Sequence, residues 1–155
     1  MRNLQDSESG RAVCGELGRL DRLLARLFKP SLGAWGEWVA LAYLRRLGWD
    51  IIARNWRSGR GELDLVAYDP ITRAPGAREN LQTPFLVFLE VKTKIVPSAL
   101  PPEDQIGKRK EEMLDRLIDD FCLRYEIFDC PVRLDVIAIE TEDQRSYLLR
   151  HYLGW

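Results

Sequence analysis

The chain has 155 residues, of which 46% are hydrophobic and 30% charged, as in a single globular domain rather than a disordered or membrane-embedded chain. Its formal net charge of −1 at pH 7 excludes a protein that coats nucleic acid by bulk electrostatics, so any nucleic-acid contact requires a local basic patch. The N-terminus lacks the basic start and apolar stretch of a secretory signal, and no apolar run reaches the roughly 18 residues of a membrane-spanning helix. We therefore expect a cytoplasmic protein without a membrane partner.

The N-terminal part of the chain has the pattern of an amphipathic helix. Leucine and phenylalanine recur at spacings of three and four within residues 11 to 28, which predicts one apolar stripe that packs on the core or on a partner. A proline then interrupts this pattern, and a second helix is predicted from about residue 35 to residue 47, where Gly48 ends it. The domain division that follows is a helical extension over residues 1 to 32 and a main domain over residues 33 to 155.

Two strand-like segments come next. Residues 49 to 56 and 62 to 68 are rich in β-branched and aromatic side chains, and a Ser-Gly-Arg-Gly turn separates them. This arrangement predicts an antiparallel hairpin. Residues 69 to 84 are polar and interrupted by proline and glycine, so they are predicted to form a long loop.

The most apolar segment of the chain is residues 85 to 92, whose unbroken hydrophobic run is typical of a strand covered on both faces. It is therefore predicted to lie at the centre of the sheet. A long amphipathic helix over about residues 103 to 125 follows, and then two more strands over residues 131 to 139 and 146 to 152. This order of elements predicts an α/β fold in which helices flank a mixed sheet.

Four charged residues stand where these patterns predict burial. Glu90 and Lys92 end the most apolar strand and, being two residues apart, point to the same face. Asp64 interrupts an apolar strand in the same manner, and Glu37 lies in line with the core-facing residues of its helix. Because burying an unpaired charge is costly, these four residues require a common explanation.

Three carboxylates and a lysine directed at one region fit metal-dependent hydrolysis of a phosphodiester. Magnesium binds one or two carboxylates, keeps several waters and leaves room for a phosphate oxygen. The ion lowers the pKa of a bound water, while a nearby lysine adds a fixed positive charge. Structural alternatives stay open: an ion pair of Glu90 with Lys92, a cross-strand pair of Asp64 with Arg54 or Arg133, and a helix-dipole role for Glu37.

The same residues lie in motifs that resemble a known family. Gly36-Glu37-Trp38-Val39-Ala40, Gly61-Glu62-Leu63-Asp64, Phe88-Leu89-Glu90-Val91-Lys92 and Arg133-Leu134-Asp135 resemble, in this order, the YraN-like family of bacterial proteins. That family is similar to the restriction-endonuclease-like nucleases with the PD-(D/E)xK motif, near the Holliday junction resolvases. The resemblance covers most of the chain after the first thirty residues.

The resemblance implies a restriction-endonuclease-like fold and assigns roles to the four charged residues. Asp64 and Glu90 would bind Mg²⁺ or Mn²⁺, Lys92 would be the catalytic lysine, and Glu37 would be the helix-borne acid of resolvase-like members. This chain departs from the pattern where Leu63 replaces the proline of the superfamily. The predicted loop after the hairpin is also longer than is usual in the family, which changes the expected substrate entrance.

Basic residues near the predicted site suggest a substrate surface. Arg54, Arg57 and Arg60 bring three cations into the hairpin beside Asp64, which favours a local phosphate-binding patch, although a solvated hairpin tip stays open. Lys110 falls in the register of a lysine that family members carry in the long helix. A cation near a helix N-terminus opposes the helix dipole, which favours an anionic partner for this residue.

The other metal-binding residue types do not form a recognisable site. His151 is the only histidine and is predicted to be a surface or packing residue, which excludes a cluster of histidine ligands. Cys14, Cys122 and Cys130 lack the paired spacing of a zinc site and are predicted to be reduced thiols.

The sequence therefore predicts a magnesium- or manganese-dependent endonuclease that acts on DNA, with branched or flapped DNA in repair or recombination as the expected substrate. A second reading is a non-catalytic module that keeps the fold and binds DNA or protein. A third gives the main role to the N-terminal helix, as a docking element for a partner. The oligomeric state, including a homodimer, is left open.

Overall fold

The computed structural model describes residues 11–16, 18, 23, 27–28, 30–70, 84–98, 101–102 and 107–155. Within these residues, the chain forms a mixed sheet with one helix on each face. The strands are Arg11–Glu16 (β1), Asp50–Ser58 (β2), Gly61–Asp69 (β3), Phe85–Ile95 (β4), Val132–Thr141 (β5) and Ser146–Tyr152 (β6), and the helices are Leu32–Arg46 (α1) and Lys108–Arg124 (α2). The predicted α/β class and mixed sheet are confirmed. No helix in the described part of the chain is long and apolar enough to cross a membrane.

The strands are ordered β1-β6-β5-β4-β3-β2 across the sheet. β4 and β5 are parallel, and all the other neighbouring pairs of these strands are antiparallel. β4 lies in the middle of the sheet, as its unbroken apolar run predicts. Its side chains alternate between two cores: Val87 and Leu89 pack with α1, while Leu86 and Phe88 pack with α2.

The hairpin predicted from the turn residues is confirmed. β2 and β3 pair in antiparallel register from Ser58 opposite Gly61 to Asp50 opposite Tyr68, with one register shift between Ile51 and Ala53. Of the long loop that the sequence predicts after this hairpin, residues 71–83 lie outside the described residues. The fifth predicted strand is also confirmed, because β6 pairs with β5 along one edge and with β1 along the other.

Helix α1 begins at Leu32, three residues before its predicted start. Ser31 is its N-cap, and the Ser31 hydroxyl accepts a hydrogen bond from the Ala34 N–H at 3.3 Å. Gly48, in a left-handed conformation with φ of 79°, follows the helix end as predicted. For α2, the structure describes a start at Lys108, and residues 103–106 of the longer predicted helix lie outside the described residues.

The prediction of a helix from residue 11 is wrong for Arg11–Glu16, which forms strand β1. β1 pairs with β6, and Val13 packs against the core on the α1 side. The edge of β6 presents unpaired backbone N–H and C=O groups, and β1 satisfies them. The leucine spacing that predicted a helix begins only at Leu17, after this strand. Most of the remainder of the predicted helix lies outside the described residues.

Candidate active site

The candidate site lies where β3 and β4 stop pairing. The described β3–β4 register ends at Leu65 opposite Leu89, and Asp64 is the next residue of β3. Instead of a backbone pair, the Asp64 carboxylate meets β4: the Val91 N–H donates to Asp64 Oδ2 at 2.8 Å. A side chain thus satisfies the backbone donor that the diverging strand leaves open, and this contact fixes the Asp64 carboxylate beside β4.

Glu90 is the most buried acid of the site. Lys92 Nζ lies 2.6 Å from Glu90 Oε1, and Lys110 Nζ, from the first turn of α2, lies 2.9 Å from the same oxygen. The other carboxylate oxygen, Glu90 Oε2, is buried and has no hydrogen-bond partner among the described residues. One oxygen of Glu90 therefore receives two ammonium groups, and the other is left without a protein donor.

The charges of the site act on one another. The pKa of Asp64 is raised from 3.8 to about 6, chiefly by burial and also by the carboxylates of Glu90 and Glu37, while the Val91 N–H and Lys92 act to lower it. The structure thus brings together Asp64, Glu90 and Lys92, three of the four residues that the sequence singled out as catalytic, and the fourth, Glu37, acts on Asp64 through its charge. It adds Lys110, which the sequence placed among the nucleic-acid contacts.

Glu37 reaches this region because α1 packs closely against β4. A Cβ at Gly36 would lie 1.8 Å from Thr93 Oγ1, so only glycine lets the helix backbone approach the strand so closely. Since α1 starts at Leu32, Glu37 lies beyond its first turn, and the helix-dipole explanation of this acid is wrong. The glycine before Glu37 is the sequence signal for this contact.

Gly36→Ala is expected to destabilise the fold by about 1 kcal/mol or more, because the added methyl has no space beside Thr93. Gly33→Ala is the matched control: it lies in the same helix with no atom within 4 Å of its would-be Cβ, so alanine is expected to stabilise by about 0.5–1 kcal/mol. Thermal melts of the two variants measure whether each substitution lowers or raises the melting temperature. Equal effects would contradict the close packing at Gly36.

The remaining structural alternatives have separate outcomes. The ion pair of Glu90 with Lys92 does form, with Lys110 as an additional partner. A pair of Asp64 with Arg133 does not form, because Arg133 donates to Asp69 and Asp135. Arg54 is exposed on the edge strand β2.

The basic residues of the hairpin lie on the surface. Arg57 Nη2 is 3.0 Å from Glu62, and Arg60 Nη1 is 3.1 Å from Asp120 on α2. The two arginine side chains are 76% and 59% exposed, so these pairs are solvated and can exchange for phosphate at little cost. Together with Arg54, they form the basic hairpin, the name used below for Arg54, Arg57 and Arg60.

A buried polar network on the α1 side of the sheet was not predicted. His151 Nε2 lies 3.0 Å from Asp135 Oδ2, and the Tyr43 hydroxyl lies 3.4 Å from His151 Nδ1. Arg133 links Asp135 to Asp69 and stacks over the Trp49 ring. His151 is thus a packing residue, one of the two roles predicted for it. The alternating charges of Arg133 and Asp135 in an apolar strand were the available signal for this network.

No group of three or more histidine, cysteine, aspartate or glutamate side chains in the described part of the chain is arranged to hold a metal ion. Cys14, Cys122 and Cys130 are free thiols, as predicted.

Comparisons with known proteins identify the family. The family described as "Uncharacterised protein family UPF0102" matches residues 36–139. A UPF0102 protein of Pelobacter propionicus is 35% identical over 130 residues, which cover 84% of this chain and 85% of that protein. A UPF0102 protein of Porphyromonas gingivalis is 39% identical over 107 residues, which cover 69% of this chain and 69% of that protein. A UPF0102 protein of Desulforamulus reducens is 34% identical over 119 residues, which cover 76% of this chain and 88% of that protein. The chain therefore belongs to the UPF0102 family, the YraN-like family that its motifs resemble.

Proposed function

We propose that this protein is a metal-dependent DNA endonuclease with a restriction-endonuclease-like fold. The observation that carries the proposal is the meeting of Asp64, Glu90 and Lys92 at the end of a buried strand, with a buried carboxylate oxygen that has no donor among the described residues. Such an oxygen is costly to bury, and binding a cation is the usual compensation.

The residues present fit a magnesium or manganese ion. Asp64 Oδ2 accepts from a backbone N–H and Glu90 Oε1 from two ammonium groups, so each carboxylate keeps one oxygen for an ion. Magnesium prefers such a site, in which one or two carboxylates bind and the other positions are left to water and phosphate. A bound ion would lower the pKa of a water and offset negative charge on the phosphate.

The protein's own groups would orient the metal-binding carboxylates and supply a fixed positive charge beside them. The Val91 N–H fixes the rotamer of Asp64, and Lys92, whose side chain is 25% exposed, places a positive charge 2.6 Å from Glu90 Oε1. Charges that are oriented before the substrate binds stabilise a developing negative charge without reorganising during the reaction. Glu37, half-buried on α1, acts on Asp64 through its negative charge, which raises the pKa of the Asp64 carboxyl.

DNA is the proposed substrate because the basic hairpin adjoins the site. β2 and β3 place Arg57 and Arg60 at the turn of the hairpin whose second strand carries Asp64. A local group of exposed cations is what a chain of net charge −1 needs to bind a polyanion. Branched or flapped DNA, from repair or recombination, is the proposed form, by resemblance to the resolvases.

A double variant, Arg57→Ala with Arg60→Ala, is expected to weaken DNA binding equally for all sequences. It should also reduce the slope of log affinity against log salt by about two, because two phosphate contacts are lost. Fluorescence anisotropy at several salt concentrations measures both quantities. Arg145→Ala removes an arginine of similar exposure away from the hairpin and should change neither. An unchanged salt slope in the double variant would show that DNA binds to another surface of the protein.

A second candidate function is a non-catalytic module that binds DNA or protein. It is favoured by the two lysines at Glu90, which make the site resemble a charge-balanced scaffold. Cleavage of linear, nicked, flapped and four-way DNA, with magnesium or manganese and with EDTA, tests the proposed activity. Metal-dependent cleavage of any of these supports the nuclease, and binding without cleavage of all of them supports the module.

The cytoplasm is the proposed compartment. Cys14, Cys122 and Cys130 are all free thiols, with no disulfide in the described part of the chain. Reduced thiols are typical of proteins that work in a reducing compartment.

A further inference from the structure

Two lysines from different elements contact one oxygen of Glu90. Lys92 is two residues away on β4, so strand geometry alone brings it near. Lys110 comes from α2, and its ammonium lies 2.9 Å from Glu90 Oε1 with the lysine side chain only 29% exposed. The contact of Lys110 therefore depends on how α2 crosses the sheet and is a feature of the tertiary structure.

The position of Lys110 in its helix is electrostatically unfavourable without such a contact. It lies in the first turn of a 17-residue helix whose N-cap, Gly107, provides no side-chain hydrogen bond. A cation in the first turn opposes the helix dipole, whereas Glu111 in the same turn favours it. The carboxylate of Glu90 offsets this cost, so the location of Lys110 is explained by the site rather than by the stability of α2.

The charge balance of the site then limits how many metal ions it binds. Asp64 and Glu90 supply two negative charges and Lys92 and Lys110 two positive ones, while Glu37 acts on Asp64 from α1. One divalent ion makes this group net positive, and a second would add two more positive charges beside half-buried ammonium groups. In addition, Glu90 Oε1, the oxygen that a second ion would need, is already occupied.

We infer that the ammonium group of Lys110 takes the place of a second metal ion, and that the site binds one divalent ion between the carboxylates of Asp64 and Glu90. This inference rests on the proposed function, which requires a metal at these two carboxylates. It assigns to Lys110 a positioning role: its ammonium holds one oxygen of Glu90 and leaves the other for the ion.

Manganese binding to the full chain without DNA tests this inference. Electron paramagnetic resonance counts free and bound Mn²⁺, and one ion per wild-type chain is expected at neutral pH. Lys110→Met removes a positive charge next to the ion and should tighten Mn²⁺ binding about tenfold. Lys110→Arg keeps the charge and should bind like the wild type. Lys108→Met makes the same charge change at an exposed neighbour and should alter the affinity less than about twofold.

The possible outcomes distinguish a failure of this inference from a failure of the proposed function. Two ions per wild-type chain, or equal affinities of Lys110→Met and Lys108→Met, would overturn the role of Lys110 and leave the metal site intact. Absence of Mn²⁺ binding, or binding that survives Asp64→Asn and Glu90→Gln, would overturn the proposed metal site and the inference with it. Circular dichroism of each variant confirms that the fold is kept.

Discussion

Glu90→Gln and Lys92→Met are each expected to lower the rate of metal-dependent DNA cleavage at least about a hundredfold, at saturating DNA, with little change in circular dichroism. Glutamine has the shape of Glu90 but gives the buried Oε2 position no negative charge for a cation. Methionine fills the space of the Lys92 stem without its ammonium, which lies 2.6 Å from Glu90. Rates of single turnover with excess enzyme measure the chemical step apart from DNA binding.

Two variants on the exposed side of α2 serve as matched controls. Lys108→Met and Glu112→Gln make the same chemical changes at exposed positions outside the site. Both should cleave at the wild-type rate when DNA is saturating. If Glu90→Gln or Lys92→Met also cleaves at the wild-type rate, the assignment of that residue to the chemistry is wrong.

The features that the sequence predicted well are those whose signals are local. The unbroken apolar run identified β4, and the turn between two aromatic-rich segments identified the β2–β3 hairpin. The site could be anticipated for a related reason. A charged side chain in an apolar strand is costly, and the two-residue period of a strand places Glu90 and Lys92 on one face.

The features that it missed depend on contacts between distant parts of the chain. Strand β1 exists because it completes the edge of β6, which lies more than a hundred residues later, and its six residues contain none of the leucines on which the helix prediction rested. Arg133 was a candidate partner of Asp64, but the registers of β3 with β4 and of β4 with β5 bring it to Asp69 and Asp135. The meeting of Lys110 with Glu90 depends on the path of α2 over the sheet, for which residue spacing carries no signal.

Asp64→Asn is expected to raise the melting temperature in EDTA at pH 7.5 and to lose most of this gain at pH 4. Burial, Glu90 and Glu37 raise the pKa of Asp64 to about 6 in the folded chain, from 3.8. Between these two values, the folded state binds the proton more tightly than the unfolded state does. The free energy of unfolding therefore falls as pH rises from about 4 to about 6 and stays lower above pH 6.

Asparagine removes this cost because it is neutral at every pH, while its Oδ1 can still accept the Val91 N–H. The gain is at most about 3 kcal/mol, or several degrees, at pH 7.5. Asp143→Asn is the matched control, since a hydrogen bond from the Arg145 N–H lowers the pKa of the Asp143 carboxyl. That substitution should not raise the melting temperature at pH 7.5.

Added metal should reverse the order of effects: it should stabilise the wild type more than it stabilises Asp64→Asn. Mg²⁺ or Mn²⁺ that binds only the folded state should stabilise the wild type by an amount that grows with the logarithm of the metal concentration. Asp64→Asn should lose most of this response, because one of the two carboxylates is gone. A scaffold of ion pairs predicts the reverse: Asp64→Asn would destabilise the fold, and millimolar metal would change neither protein. Melts of both proteins in EDTA and in metal thus decide between the metal site and the ion-pair scaffold, and they require no DNA substrate.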